Sequence, residues 1–160
     1  MTPLKPHAER DPDFVYVIYI MTSPQRVWDA LTDGENVRAW WANTQHDSTF
    51  KPGDPITYRR NDKVDVRGEI LEREEPNRLV YTFHVEGPGP QHDEGPTLVT
   101  YEIAANGNAT MLKITHTNFR ADSAVRKGVS QGWPAILSAL KSSLEGATTP
   151  AYAKWGEAAR

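Results

Sequence analysis

Six side chains carry the chemistry this sequence offers: His116, Phe83 and Tyr101 on strand-like segments, and Trp40, Trp41 and Trp133 in helical ones. A neutral imidazole donates or accepts a hydrogen bond and can act as a general base. Aromatic walls with a few polar groups are the usual lining of a small-molecule pocket. Together these residues imply ligand binding, with proton transfer at His116 as its catalytic extension. The plainer reading is a packed histidine satisfied by a carbonyl or hydroxyl, and tryptophans that close the core between helices and sheet.

Other reactive sets are thin. His46-Asp47 and His92-Asp93-Glu94 hold metal-ligating types, but neither has HExxH or any other zinc spacing. The chain has no cysteine, which removes disulfides, thiolate nucleophiles and Cys-ligated zinc. It also lacks a GxSxG elbow, a P-loop and a GxGxxG turn. Neither a metal nor a cofactor is expected. His92 lies in the glycine- and proline-rich stretch Gly87 to Pro96, which reads as a solvated loop long enough to form a flap over a cavity mouth. The charges of Glu72, Arg73, Glu74 and Glu75 read as a solvated strand edge.

The elements that position the six residues follow from spacing. Phe14 to Met21 is dense in β-branched and aromatic residues and predicts a strand buried on both faces. Ser23-Pro24 is a helix start: the serine oxygen caps free N–H groups, and proline at the first helical position sacrifices no bond. Val27, Trp28 and Leu31 share one face of that short helix, and Val37, Trp40 and Trp41 repeat the spacing on a second. From about His46 to Phe119 the pattern turns to period two. Strands are expected at Ile56–Arg60, Val64–Glu74, Leu79–Phe83, Leu98–Ala104 and Thr110–Thr117, with an Asn106-Gly107 hairpin turn between the last two. Gly68 within its strand marks a bulge or bend. Val125, Val129, Ile136, Leu137, Leu140 and Leu144 predict a long helix over Asp122–Glu145, with Pro134 kinking it or opening its main body. His116 has the parity of Leu112 and Ile114, so all three face the same side.

Size and charge set the outer bounds. At 160 residues the chain reads as a lead-in over 1–12, one domain over 13–146 and a tail over 147–160. A net charge of −3 supplies no field for phosphates, so nucleic acid is not an expected partner. The eight-residue apolar run at Phe14–Met21 is far short of the roughly 20 residues a membrane helix needs, and no membrane insertion is expected. The first twelve residues show no secretory h-region, which makes the cytoplasm the expected location.

The order of these motifs resembles the helix-grip fold of the START-like or Bet v 1-like (SRPBCC) superfamily, and within it the activator of Hsp90 ATPase homologue branch. The resemblance is carried by Ser23-Pro24 with Val27 to Thr32, by Trp40-Trp41, by Lys51-Pro52-Gly53-Asp54, and by Gly68 to Glu72. Arg78 to Phe83, Thr115 to Phe119 and Gly132-Trp133 with Ile136, Leu137 and Leu140 complete it, over roughly residues 13 to 146. It implies an α+β fold: a curved antiparallel sheet wrapped around a long C-terminal helix, with two short helices after the first strand. The implied function is non-catalytic binding of a small hydrophobic or amphipathic ligand, with Trp40, Trp41, Phe83, Tyr101, His116 and Trp133 as its lining. The alternatives are an Hsp90-type co-chaperone module and a cyclase- or hydrolase-like enzyme using His116. A homodimer through exposed strand edges and the tail around Trp155 is the remaining partner reading. Fold alone does not choose among these.

Overall fold

The computed structural model describes residues 4, 7–34, 36–150 and 152, so Trp155 lies outside the described residues. Seven strands form one antiparallel sheet in the order β1-β7-β6-β5-β4-β3-β2. Their ranges are β1 Phe14–Ile20, β2 Gln45–Asp47, β3 Pro55–Arg60, β4 Lys63–Glu74, β5 Arg78–Val85, β6 Thr97–Asn106 and β7 Ala109–Thr117. Helix α1 spans Pro24–Thr32, α2 is a single turn at Pro90–Asp93, and α3 runs Ala124–Leu144. The curved sheet and the long C-terminal helix are the helix-grip arrangement.

Local sequence explains each helix. The Ser23 hydroxyl oxygen accepts from Arg26 N at 3.3 Å and Pro24 opens α1, which buries Val27, Trp28 and Leu31. The second short helix is only a 3-10 turn, Asn36–Ala39. Trp40 and Trp41 both hydrogen-bond back to the Val37 carbonyl, and Ala42 and Asn43 then enter the left-handed region (φ 45° and 57°), which stops any further turn. The loop over 87–96 contains α2, a turn absent from the sequence reading. At the start of α3, Ser123 Oγ accepts from Arg126 N at 2.9 Å. Glu94 adds a carboxylate there, accepting from Val125 N at 3.2 Å and Arg120 N at 3.3 Å. Two donors that a helix start leaves free are satisfied in this way. Helix α3 continues through Pro134 as one element.

Gly68, where the sequence reading expects a bulge or bend, is a point of close approach between strands, and the register shift on β4 falls just beyond it, between Ile70 and Glu72. A Cβ at Gly68 would lie 1.8 Å from the Thr82 carbonyl oxygen, so only glycine allows β4 and β5 to approach there. The ladder between these strands is interrupted at this point, and the Thr82 hydroxyl accepts from Glu69 N at 2.9 Å instead. Both β4 and its β3 partner carry register shifts, which add curvature.

One expectation is corrected. Strand β1 is not buried on both faces: Val15, Val17, Tyr19 and Met21 are 50, 42, 49 and 54% exposed. The strand closes one side of the sheet, and the helices cover only the face shared by Phe14, Tyr16, Ile18 and Ile20. A dense apolar run therefore reflects β-propensity here rather than two-sided burial. At its end, Lys141 Nζ donates to Tyr19 O at 2.7 Å, and Glu145 Oε2 accepts from Met21 N at 2.8 Å. The two side chains also pair with each other at 2.8 Å, fixing the end of α3 to the sheet.

Candidate ligand-binding cleft

Helix α3 lies against β1 and reaches β7 and β6 through Trp133, which touches His116 and Tyr101, whereas it stands off from β3 to β5. A cleft of about 490 Å3 remains between them. One face of α3, the i, i+3, i+4 row of Val125, Gly128, Val129, Gly132, Trp133 and Ile136, forms its floor. Tyr58, Val66, Phe83 and Val85 form the sheet wall, and Trp41 closes one side. Arg60, Asp65, Glu86 and Gln91 stand at the mouth. The acids there are paired: Asp65 with Arg60 at 3.2 Å, Glu86 with Arg67 at 2.9 Å. An apolar interior with a polar rim of balanced charge suits an amphipathic molecule or an apolar one.

The six residues singled out from sequence fall in three places. Trp41, Phe83 and Trp133 line this cleft. Trp40, its ring 5.5 Å from that of Trp41, lines a second depression of about 350 Å3 between α1, the 3-10 turn and the end of α3. Adjacent residues in a turn point in different directions, so two consecutive tryptophans serve two surfaces. Tyr101 and His116 lie behind the cleft wall, fully buried.

Around His116 the hydrogen bonding is closed. Trp133 Nε1 is 3.1 Å from Nδ1, and an indole N–H can only donate, so Nδ1 is the acceptor. The neutral ring then carries its proton on Nε2 and donates to Thr97 Oγ1 at 2.7 Å. Thr97 in turn donates to the Phe83 carbonyl at 3.1 Å. Burial pushes the His116 pKa down to about 3, so the ring is neutral at physiological pH. Phe83 and Phe119 pack on the ring at centroid distances of 5.0 and 4.9 Å. Both nitrogens are committed, and neither has a lone pair or proton to offer a substrate.

A second buried polar set lies under the sheet wall. The phenol oxygens of Tyr58, Tyr81 and Tyr101 form a chain, with the Tyr58–Tyr81 contact very short and Tyr81–Tyr101 at 2.7 Å. Burial raises all three phenols well above their ordinary range, so they stay protonated. His46 stacks on Tyr58 at 4.1 Å and meets the Trp41 ring edge-on at 4.4 Å. Its pKa is also pushed down to about 3 by burial, and among the described residues no group hydrogen-bonds its buried Nε2.

The two local metal-ligand sets are taken apart by the fold. On β2, His46 points inward while Asp47 faces Arg59 at 3.0 Å on the outer side. In the 87–96 loop, His92 Nδ1 donates to Val85 O at 2.8 Å, and His84 Nε2 to His92 O at 3.0 Å, while Glu94 turns to α3. Among the described residues no three His, Cys, Asp or Glu side chains gather. The same loop lays the Gln91 amide towards α3, within 3.4 Å of Ala124 O, at the cleft mouth. No helix among the described residues is long and apolar enough to cross a membrane.

The model of the "Activator of Hsp90 ATPase homolog 1-like protein" family matches residues 21–145. The chain belongs to this family. Solved structures agree on its fold. A protein from Mesorhizobium loti superposes with TM-score 0.75 at 23% identity, covering 86% of this chain and 99% of that one. The Aha1 dimer from Colwellia psychrerythraea gives 0.70 at 21%, covering 84% and 97%. An HSP90 activator from Plasmodium falciparum gives 0.66 at 20%, covering 78% and 90%. No curated protein matches the sequence. At these identities the likeness speaks for the family's fold and leaves the site to be argued from its residues.

Tyr58, Gly128 and Gln91 were not singled out from sequence, and Gly132 only as part of the Gly132-Trp133 motif. Tyr58 shares inward parity with Ile56, a period-two signal that could have found it. The glycines lie at i, i+4 on the same face as Val125 and Val129, which a helical wheel would have grouped. Gln91 sits in a loop whose fold no periodicity encodes.

Proposed function

We propose that this protein is a cytoplasmic, non-catalytic binder of a small hydrophobic or amphipathic molecule, held in the cleft between β3–β5 and α3. The observation that carries this reading is the cleft itself: about 490 Å3, within the range of small-molecule pockets, with four aromatic rings inside and paired charges at the mouth. The closed network of His116 favours binding over base catalysis, because a general base needs a free lone pair within reach of substrate.

Native mass spectrometry of freshly purified protein, followed by extraction under denaturing conditions, tests the reading. A co-purified apolar compound at near one-to-one occupancy is the expected result, and Phe83→Ala with the fold intact should lose it. An apo mass, together with no response to a panel of apolar probes, would sink it. A stable complex with an Hsp90-type chaperone in the same preparation would replace it with the interaction role that the Plasmodium relative's name describes. Size-exclusion chromatography will show whether this chain is a dimer, as the Colwellia relative is named.

A further inference from the structure

The two glycines on the cleft floor have different explanations. A Cβ at Gly128 would lie 2.9 Å from Gln91 Nε2, so the loop amide that crosses α3 accounts for that residue. A Cβ at Gly132 would meet no atom within 4 Å, although the residue is buried and lines the cleft. No packing contact requires glycine there. In a helix interior glycine is markedly less favourable than alanine, since it loses more backbone freedom on folding. The chain thus gives up helix stability at 132 and leaves space that the cleft alone uses.

We propose that Gly132 determines which ligands enter: a rigid, flat ring system lies on the bare α3 backbone at this turn, beside Trp133 and Trp41. The inference rests on the binder reading above and names the ligand's shape. Trp41 and Trp133 meet edge-to-face at 5.4 Å, and Tyr58 and Phe83 stand edge-to-face across the wall at 5.8 Å. Such an arrangement offers ring faces and edges to a planar guest. A methyl group at 132 would lift a rigid ring off the backbone, whereas a flexible chain bends past it. The rival account is that Gly132 eases the helix into Pro134, two residues on.

Titration of two probes separates these accounts: 1-anilinonaphthalene-8-sulfonate as the planar one and dodecanoate as the flexible one, each by calorimetry. The proteins are the wild type, Gly132→Ala, and Gln131→Ala as an exposed neighbour on the same helix. The expected result is one-to-one binding of the planar probe to wild type, weakened about tenfold or more by Gly132→Ala. Dodecanoate should change by less than about threefold, and Gln131→Ala should match wild type with both. The melting temperature of Gly132→Ala should hold or rise, by about 2–4 °C. Unchanged planar-probe binding, or equal losses for both probes, overturns the proposal. A lower melting temperature also overturns it, because the glycine then serves the helix path. If the wild type binds neither probe, it is the binder reading that fails.

Discussion

The two sides of α3 solve opposite problems with similar residues. Towards β6 and β7 the helix is packed through Trp133, whose polar contact to His116 is completed through Thr97 to a carbonyl. Towards β3, β4 and β5 the same helix presents valines and glycines to the cleft. Trp133 belongs to both sides: its N–H goes to His116 and its ring edge to Trp41 across the cleft floor. The difference teaches where rigidity and vacancy come from. A fully satisfied buried polar chain fixes one wall, and that fixed wall allows the opposite side to stay open without collapse.

Substitution should therefore be costly on the packed side and mild on the open one. His116→Ala removes a fully buried ring and leaves the Trp133 N–H without an acceptor, an expected loss of about 3–5 kcal/mol. Val129→Ala, on the half-open face, should cost about 1 kcal/mol or less. Urea denaturation compares them directly, and equal losses would erase the distinction between the sides.

The next largest effect is acid sensitivity, which sharpens the comparison because the two sides each bury one histidine. His116 and His46 both have folded pKa values pushed down to about 3, against an unfolded value near 6.5. Between those values the unfolded chain binds protons that the native protein does not. Their stabilising contribution is therefore fully present above pH 6.5 and declines as pH falls towards 3. Each histidine should contribute a slope approaching about 1.4 kcal/mol per pH unit, so the pair loses about 3 kcal/mol between pH 6.5 and 5. His46→Phe keeps a ring against Tyr58 and should roughly halve that slope in melts taken across this window. A slope unchanged by His46→Phe would mean that His46 is protonated in the native state.

Smaller effects follow the same division. Thr97→Val leaves the His116 Nε2–H unsatisfied and should cost about 2 kcal/mol, read by urea denaturation. In the variant, 15N chemical shifts of the imidazole should still report the proton on Nε2, since Trp133 continues to donate to Nδ1. Arg67→Ala breaks an exposed ion pair at the cleft mouth, and its effect on stability should stay within about 0.5 kcal/mol. A larger loss there would show that the mouth, too, is part of the rigid frame.

Legibility in the sequence divided along similar lines. Regular elements were readable because burial repeats at fixed periods: β3 to β7 and α3 all appear where alternation or helical spacing predicts them. That Gly68 marks a special point in its strand was readable, because glycine there has few other uses, but the structure shows a close backbone approach at Gly68 and the register shift two to four residues on. The inward parity of His116 with Leu112 and Ile114 was readable too, but its partners were not, since Thr97 and Trp133 lie 19 and 17 residues away. Trp40 and Trp41 show the limit most clearly. Helical spacing was read into a stretch that two left-handed residues terminate, and side-chain direction in a turn has no period to follow. Strand β1 misled for a different reason: composition records propensity, and whether a second face is covered depends on elements far along the chain.

The ion pair at the end of α3 has a consequence for the protein in a crowded solution. A terminal strand is a template on which another chain can crystallise into sheet. On β1 the outward carbonyl of Tyr19 and the amide of Met21 are already occupied by Lys141 and Glu145. The open edge of β1 is thus reduced to the stretch around Val15 and Val17. Two helix side chains thereby blunt one end of an exposed apolar edge, as charged groups do on edge strands generally.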